Sequence, residues 1–355
     1  MRKSILTLFG SEWFGVSIST LAVAQVYILF SGEFSNLFFN YVAEILTLFG
    51  LTIFVIVFIV WVIRAFIISD GVFSHWNNLT RMSFVSLIPI TMFVGAYQLI
   101  YYFGISQASA EISLIIYYSN YILALLLGVL LGYRLYTKPI NPGELNYSIV
   151  IPPLAIGTSV FLAGPLMKFY GGIEAQTMYF LVLVGLGIFF FLFLFIGSLA
   201  LAGHVTTKTP DSLPTTMLPV GISSLIIINL FSIAGFGKID QISISISTVE
   251  FLSIILWGFE VWNFLVVLIL IFTNPARGKL SVWAYGFPLG LFATSTMRIY
   301  TFTQFTILLW IFAAIGMMLT ILWIYAWINT GMFLKIQREM ESKEQTALPN
   351  IPSPP

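Results

Sequence analysis

The side chains of this sequence that could do chemistry are mainly uncharged hydroxyls set in long apolar runs. The hydroxyls that we predict to contact an ion or ligand are Ser17, Ser19, Thr20, Ser86, Thr91, Thr158, Ser159, Ser223, Ser224 and Thr294. Cation pathways usually carry rings of Asp or Glu, whereas hydroxyls, exposed backbone and helix dipoles tolerate an anion better. The residue types therefore favour weak binding and rapid passage of small anions.

Few charged groups interrupt the apolar runs. Glu260 lies deep in one of them, and an acidic side chain in that setting is functional by default. The alternative that we favour is structural: a hydrogen-bonded glutamate that joins a peripheral helix to its neighbours. Arg298, near the end of another run, is our candidate for attracting anions.

Other chemistries lack the residues that they need. The sequence has no cysteine, and its two histidines, His75 and His204, both fall between the runs. It shows no nucleophile–base pair, metal-ligand cluster or phosphate-binding loop, so we expect no metal, no cofactor and no enzymatic activity. The net charge of +1 gives no reason to expect a nucleic-acid partner.

The apolar runs are long enough to cross a bilayer, and they occupy almost the whole chain. Hydrophobic residues make up 59% of the 355 residues and charged residues only 8%, against about 25% charged in soluble domains. A spanning helix needs about 20 apolar residues. We predict ten spans, at roughly 13–30, 43–69, 82–102, 112–134, 148–168, 176–202, 217–235, 250–273, 281–300 and 305–333. Residues 1–333 thus form one transmembrane domain, and 334–355, charged and then proline-rich, are predicted to be a short disordered cytoplasmic tail.

The positive charges indicate how the spans are oriented. Twelve of the fifteen Lys and Arg residues lie on the side of the N-terminus, and the exceptions are Lys168, Lys238 and Arg298. Cytoplasmic loops carry an excess of Lys and Arg. We therefore predict a multi-pass protein of the plasma membrane, with an even number of spans and with both termini in the cytoplasm.

The odd-numbered spans differ from the even-numbered ones. They begin at intervals of 64 to 69 residues, which suggests five helical hairpins that all start on the same side. All six prolines within spans fall in odd ones: Pro89, Pro152, Pro153, Pro165, Pro219 and Pro288. Proline removes a backbone hydrogen bond that lipid cannot replace. We therefore predict an all-α membrane fold of five hairpins in quasi-five-fold arrangement around a central pore, with inner odd helices kinked at these prolines and outer even helices facing lipid.

Four segments resemble the tellurite-resistance/dicarboxylate transporter family, which includes the slow-type anion channels of plants and fungal malate carriers. Residues 281–290, SVWAYGFPLG, are similar to the family's Trp-x-aromatic-small-Phe-Pro signature. Residues 151–157 begin with Ile-Pro-Pro and end with Gly, and residues 218–221 read Leu-Pro-Val-Gly, as in family members. The match at 13–20 is partial, because Ser-Ile-Ser-Thr stands where the family usually shows Gly-Thr-Gly. Gly286 stands where relatives usually carry Ser or Thr.

The resemblance implies a central pore in each subunit of a homotrimer. It also implies a pore-blocking phenylalanine on the ninth span, which corresponds to Phe287, with Pro288 supplying the kink that aims the ring into the lumen. The first functional hypothesis is therefore a passive channel for chloride, nitrate or similar anions. The alternative is a carrier, proton-coupled in some relatives, for malate, other C4-dicarboxylates, tellurite or sulfite. A membrane-embedded enzyme or sensor is a third, less favoured class. The expected partners are small inorganic or organic anions and the lipid bilayer.

Overall fold

The computed structural model describes residues 9–67, 78–207, 210–236 and 244–347, and these residues form helices, turns and short loops without a β-strand. The odd spans contain the α-helices Phe14–Phe34, Leu87–Phe103, Ile151–Gly157 with Ser159–Tyr170, Leu218–Phe236 and Gly286–Thr303. The even spans are the α-helices Leu37–Ile67, Gln107–Thr137, Gly172–Thr207, Ile246–Thr273 and Thr306–Ala347. We number these spans one to ten in chain order.

The tenth span is longer than the sequence predicted. Its helix runs through the predicted boundary at 333 and ends at Ala347. Residues 334–347 are rich in Lys, Gln, Arg, Glu and Met, which are strong helix formers, so the helix continues beyond the apolar stretch. The predicted tail therefore begins as helix, and residues 348–355 lie outside the described part of the chain.

In each odd span, a short helical segment comes before the main α-helix and is not part of it. Four of these segments are 3-10 helices: Ser11–Trp13, Tyr147–Val150, Pro210–Met217 and Leu280–Tyr285. The third span instead begins with the α-helix Leu79–Val85, which is interrupted at Ser86.

The prolines that we predicted as kinks follow these breaks. Pro89, Pro152, Pro153, Pro219 and Pro288 each occupy the second or third position of an α-helix. Proline fits there because the first N–H groups of a helix have no partner within it. Within the fifth span the helix breaks a second time, at Thr158, and Pro165 lies inside the helix that follows.

Among the described residues, nine of the ten spans are long and apolar enough to cross a membrane; the exception, Gly286–Thr303, is long enough but more polar. Burial separates odd from even. In the first, third, fifth and seventh spans, 67–94% of the most apolar stretch is buried within the protein, against 17–39% in the five even spans. Large apolar side chains such as Phe66, Phe195 and Trp262 are exposed on the even helices. Lipid rather than water suits such a surface, so this contrast agrees with inner odd and outer even helices.

Each odd span packs against the next odd span along the chain, and the ninth packs against the first. Each even span packs against the odd span before it and the odd span after it, with the tenth lying between the ninth and the first. Glycine permits the closest approaches. A Cβ at Gly290 would lie 2.7 Å from the Ala22 Cβ, and one at Gly221 would lie 2.7 Å from the Pro288 Cα. Small residues at such contacts let helix backbones approach closely.

Candidate functional site

A cavity of about 580 Å³ opens at the face where the odd spans begin, which we call the N-terminal face. All five odd spans contribute to its lining: Gly15, Leu87, Ile151, Thr215 and Phe287 come from the first, third, fifth, seventh and ninth spans, respectively. The cavity is therefore the place where the five buried helices meet.

The deep end of the cavity is apolar. Ile18, Leu87, Ile151 and Phe287 lie further along their spans than the polar lining residues and are each at most 5% exposed. Phe287 directly follows the 3-10 segment Leu280–Tyr285, and the adjacent Pro288 also lines the cavity. Of the sequence-predicted site residues, these two are the ones that reach it.

Close packing fixes the start of the ninth helix beside the cavity. A Cβ at Gly286 would lie 2.5 Å from the Ser19 Cβ, so glycine is required at this contact. The Ser19 hydroxyl donates to the Trp283 carbonyl at 2.8 Å, immediately before the helix. The first span thus holds the backbone on which Phe287 is mounted.

The outer part of the cavity, its mouth, is charged. Arg81 Nε and Glu12 Oε1 form an ion pair at 3.4 Å, with the two side chains 48% and 31% exposed, respectively. Arg64, from the end of the second span, is only 7% exposed, and its Nη1 donates to the Phe9 carbonyl at 3.3 Å. Asn146 and Thr80 also line the mouth, and the Asn146 amide donates to the Thr80 hydroxyl at 3.1 Å.

Sequence reasoning missed this charged mouth. We used Arg64 and Arg81 as evidence for orientation and assigned no role to Glu12. The available signal was that all three lie close to the ends of predicted spans on the same side. Their convergence depends on tertiary packing, because Glu12, Arg64 and Arg81 belong to three different spans.

The predicted hydroxyl residues lie elsewhere: all ten are buried, and none is among the described residues that line the cavity. In the first span they turn to three different neighbours. Ser17 donates to the Gly50 carbonyl of the second span at 2.7 Å, and Ser19 bonds to the ninth. Thr20 accepts a hydrogen bond at 3.0 Å from the Trp323 indole of the tenth span.

The remaining hydroxyls mostly bond within their own helices. Thr91, Thr158, Ser224 and Thr294 each donate to a carbonyl three or four residues earlier, at 2.7–2.8 Å. Ser223 donates to the Leu256 carbonyl of the eighth span at 3.1 Å. Ser159 is buried, and the buried Ser86 hydroxyl makes no hydrogen bond within the described structure.

Glu260 of the eighth span is fully buried and points at the inner helices. Its Oε2 lies 2.9 Å from the Ser295 hydroxyl of the ninth span, and Ser224 of the seventh span faces the same carboxyl group. The hydrogen bond joins an outer helix to an inner one, as the structural alternative predicted, while the buried Glu260 Oε1 makes no hydrogen bond within the described structure.

Arg298 and His204 lie away from the cavity. Arg298 is exposed near the opposite end of the ninth helix. His204 lies within the sixth helix rather than in a loop, and its ring stacks on Tyr147 with the ring centroids 5.1 Å apart. His75 lies outside the described residues. The described part of the chain contains no group of three His, Cys, Asp or Glu side chains that could hold a metal ion.

The sequence profile of the voltage-dependent anion channel family matches residues 8–331. The chain belongs to this family. The match confirms the relationship that the four sequence segments indicated, and it places this multi-pass membrane protein among anion channels and transporters. A relative described as an uncharacterized transporter, from Methanocaldococcus jannaschii, is 22% identical over 338 residues, which cover 92% of this chain and 95% of the relative.

Proposed function

We propose that this protein is a channel that passes small anions, such as chloride or nitrate, along a central path between the five odd spans, with Phe287 as its gate. The observation that carries the proposal is the cavity to which every odd span contributes and at whose apolar deep end Phe287 lies. The family relationship supplies the class of cargo.

The chemistry of the deep end suits a closed gate. Ile18, Leu87, Ile151 and Phe287 offer no polar side chain to replace the hydration shell of an ion. An apolar constriction of this kind blocks ions by steric exclusion and by dewetting. Movement of the Phe287 ring alone would widen the constriction, whereas the backbone on which it stands is held by Ser19 and Gly286.

The test compares Phe287→Ala with wild type in proteoliposomes. We expect the variant to increase chloride and nitrate current severalfold, reversing at the anion equilibrium potential, because the aromatic plug is removed. Phe292→Ala is the matched control: Phe292 lies on the same helix and is buried, but it packs against Trp257 and Phe264 and does not line the cavity. Unchanged current in Phe287→Ala, or an equal increase in both variants, would contradict the gate.

A carrier of C4-dicarboxylates is the second candidate. Such a substrate needs paired cationic groups, and Arg64 and Arg81 at the mouth supply them. The sequence alone did not indicate that these two arginines lie at one site. A carrier shows saturable malate exchange and accelerated counterflow, whereas a channel shows neither. Saturable exchange with no anion current from wild type or Phe287→Ala would favour the carrier.

We further propose that the N-terminal face is cytoplasmic, on the basis of the Lys and Arg distribution. Because the chain has no cysteine, a single cysteine introduced at Lys335 would report its side unambiguously. If an impermeant maleimide labels this cysteine in intact cells, the N-terminal face is extracellular and the proposed orientation is wrong. The homotrimer that the resemblance implies stays a prediction.

A further inference from the structure

The mouth of the cavity concentrates positive charge at an opening to which all five odd spans contribute. Among its described lining residues, two arginines, Arg64 and Arg81, face one carboxylate, that of Glu12. A further acid, Glu144, does not line the cavity, and its carboxylate accepts from the Leu79 amide at 3.5 Å. The N-terminal ends of the odd helices add their partial positive charge to the same space.

The backbone of Arg81 is held in place from two directions. Its amide donates to the Asn78 side chain at 2.9 Å, which caps the start of the third span. Its carbonyl accepts from the Ser11 hydroxyl at 2.7 Å. The first span, through Ser11 and Glu12, therefore fixes where the Arg81 guanidinium stands.

Arg64 approaches from the second span. Its side chain is almost completely buried, lines the cavity and interacts electrostatically with both Arg81 and Glu12. A guanidinium presents a planar fork of donors that matches the planar face of a carboxylate or nitrate, and it suits a spherical halide less well. A carboxylate already lies beside Arg81: Glu12 Oε1 is 3.4 Å from the Arg81 Nε.

We propose that this mouth is a binding site for small planar oxyanions, in which the ligand takes the place of the Glu12 carboxylate on Arg81 and is stabilised by the charge of Arg64. The inference rests on the proposed function in that the site would load the path that ends at Phe287. A partly exposed ion pair is weak enough to exchange with a competing anion, and the cavity has ample volume for one. Glu12 thus competes with the ligand for Arg81 and lowers the affinity of the site for that ligand.

The test measures binding directly on the purified full-length chain in detergent, by calorimetric titration with formate, nitrate or chloride. We expect Arg81→Gln to weaken formate binding roughly ten-fold, since it removes a charge-assisted contact, and Glu12→Gln to tighten it several-fold by removing the competitor. Arg81→Lys should weaken formate more than chloride, because the charge stays and the fork is lost. Lys168→Gln is the control, an exposed cation at the far end of the fifth span, and should leave the dissociation constants unchanged.

The two substitutions at the ion pair act in opposite directions, so general damage to the fold cannot imitate the expected pattern. Equal dissociation constants in wild type, Arg81→Gln and Glu12→Gln would overturn the site, as would no detectable formate binding to wild type or an equal loss in Lys168→Gln. Binding is measured without ion flux. If the variants show this binding pattern but the protein passes no anion, the binding site is supported and the proposed function is contradicted. If the protein passes anions but the variants bind formate as wild type does, the function is supported and the site is contradicted.

Discussion

The odd and even spans differ both in how apolar they are and in what surrounds them: the odd spans are the less apolar and the more buried set. The sixth span is the longer and more apolar of two neighbours and has 28% of its core stretch buried, whereas the fifth has 94% buried. The prolines within spans occur on the odd helices, and most of the exposed large apolar side chains occur on the even ones. In a membrane protein, therefore, the less apolar spans are the inner ones, and the prolines within spans mark the same helices.

The same substitution should have opposite effects on the two classes of helix. Gly290→Ala on the ninth span should reduce the free energy of unfolding by about 1–3 kcal/mol, because its Cβ would overlap Ala22. Gly258→Ala on the eighth span meets nothing within 4 Å and should increase stability by up to about 1 kcal/mol through helix propensity. Thermal melting in detergent of both variants checks this. A loss of stability in both variants would contradict the expected difference between odd and even helices.

The hydrogen bond between the eighth and ninth spans at Glu260 should be costly to remove, and a glutamine should be able to replace it. Glu260→Ala should cost about 1–2 kcal/mol, because it empties a fully buried position and removes the partner of Ser295. Glu260→Gln should cost less, since its amide oxygen accepts the same hydrogen bond. Melting temperatures compare the two. If Glu260→Gln retains its stability but loses anion current, the glutamate has a role in transport, contrary to the structural interpretation.

The smallest expected effect is at the bond between Trp323 of the tenth span and Thr20 of the first. Trp323→Phe should lower stability by about 1 kcal/mol, the usual value of one hydrogen bond. Trp310→Phe on the same helix is the control, because Trp310 is 68% exposed. Equal melting temperatures for the two variants would show that this contact does not contribute.

The sequence predicted the spans and the burial of the odd helices because proline at positions such as 89, 219 and 288 requires neighbouring protein. It could not predict which way a hydroxyl points. A buried membrane helix has apolar neighbours on every side, so no polar stripe marks the face of Ser17, Ser19 or Thr20.

The sequence departs from the family pattern at two positions, and nothing in the sequence alone indicated that these two positions are in contact. Ser19 lies in the segment where relatives usually show glycines, and Gly286 stands where they usually carry a hydroxyl residue. In the structure these two residues touch, and a side chain at 286 would collide with Ser19. Only the packing of the first span against the ninth shows that one change accommodates the other.

The lengths of the two sets of helices have a consequence for the shape of the protein. At about 1.5 Å per residue, the 18-residue ninth helix is about 27 Å long, close to the thickness of the hydrocarbon core, whereas the 36-residue sixth helix is about 54 Å long. The sixth helix also contacts the 3-10 segments Pro142–Glu144 and Tyr147–Val150 at the N-terminal face. The sixth helix is thus longer than the hydrocarbon core is thick, so part of it lies outside the core, beside the segments that lead into the fifth span.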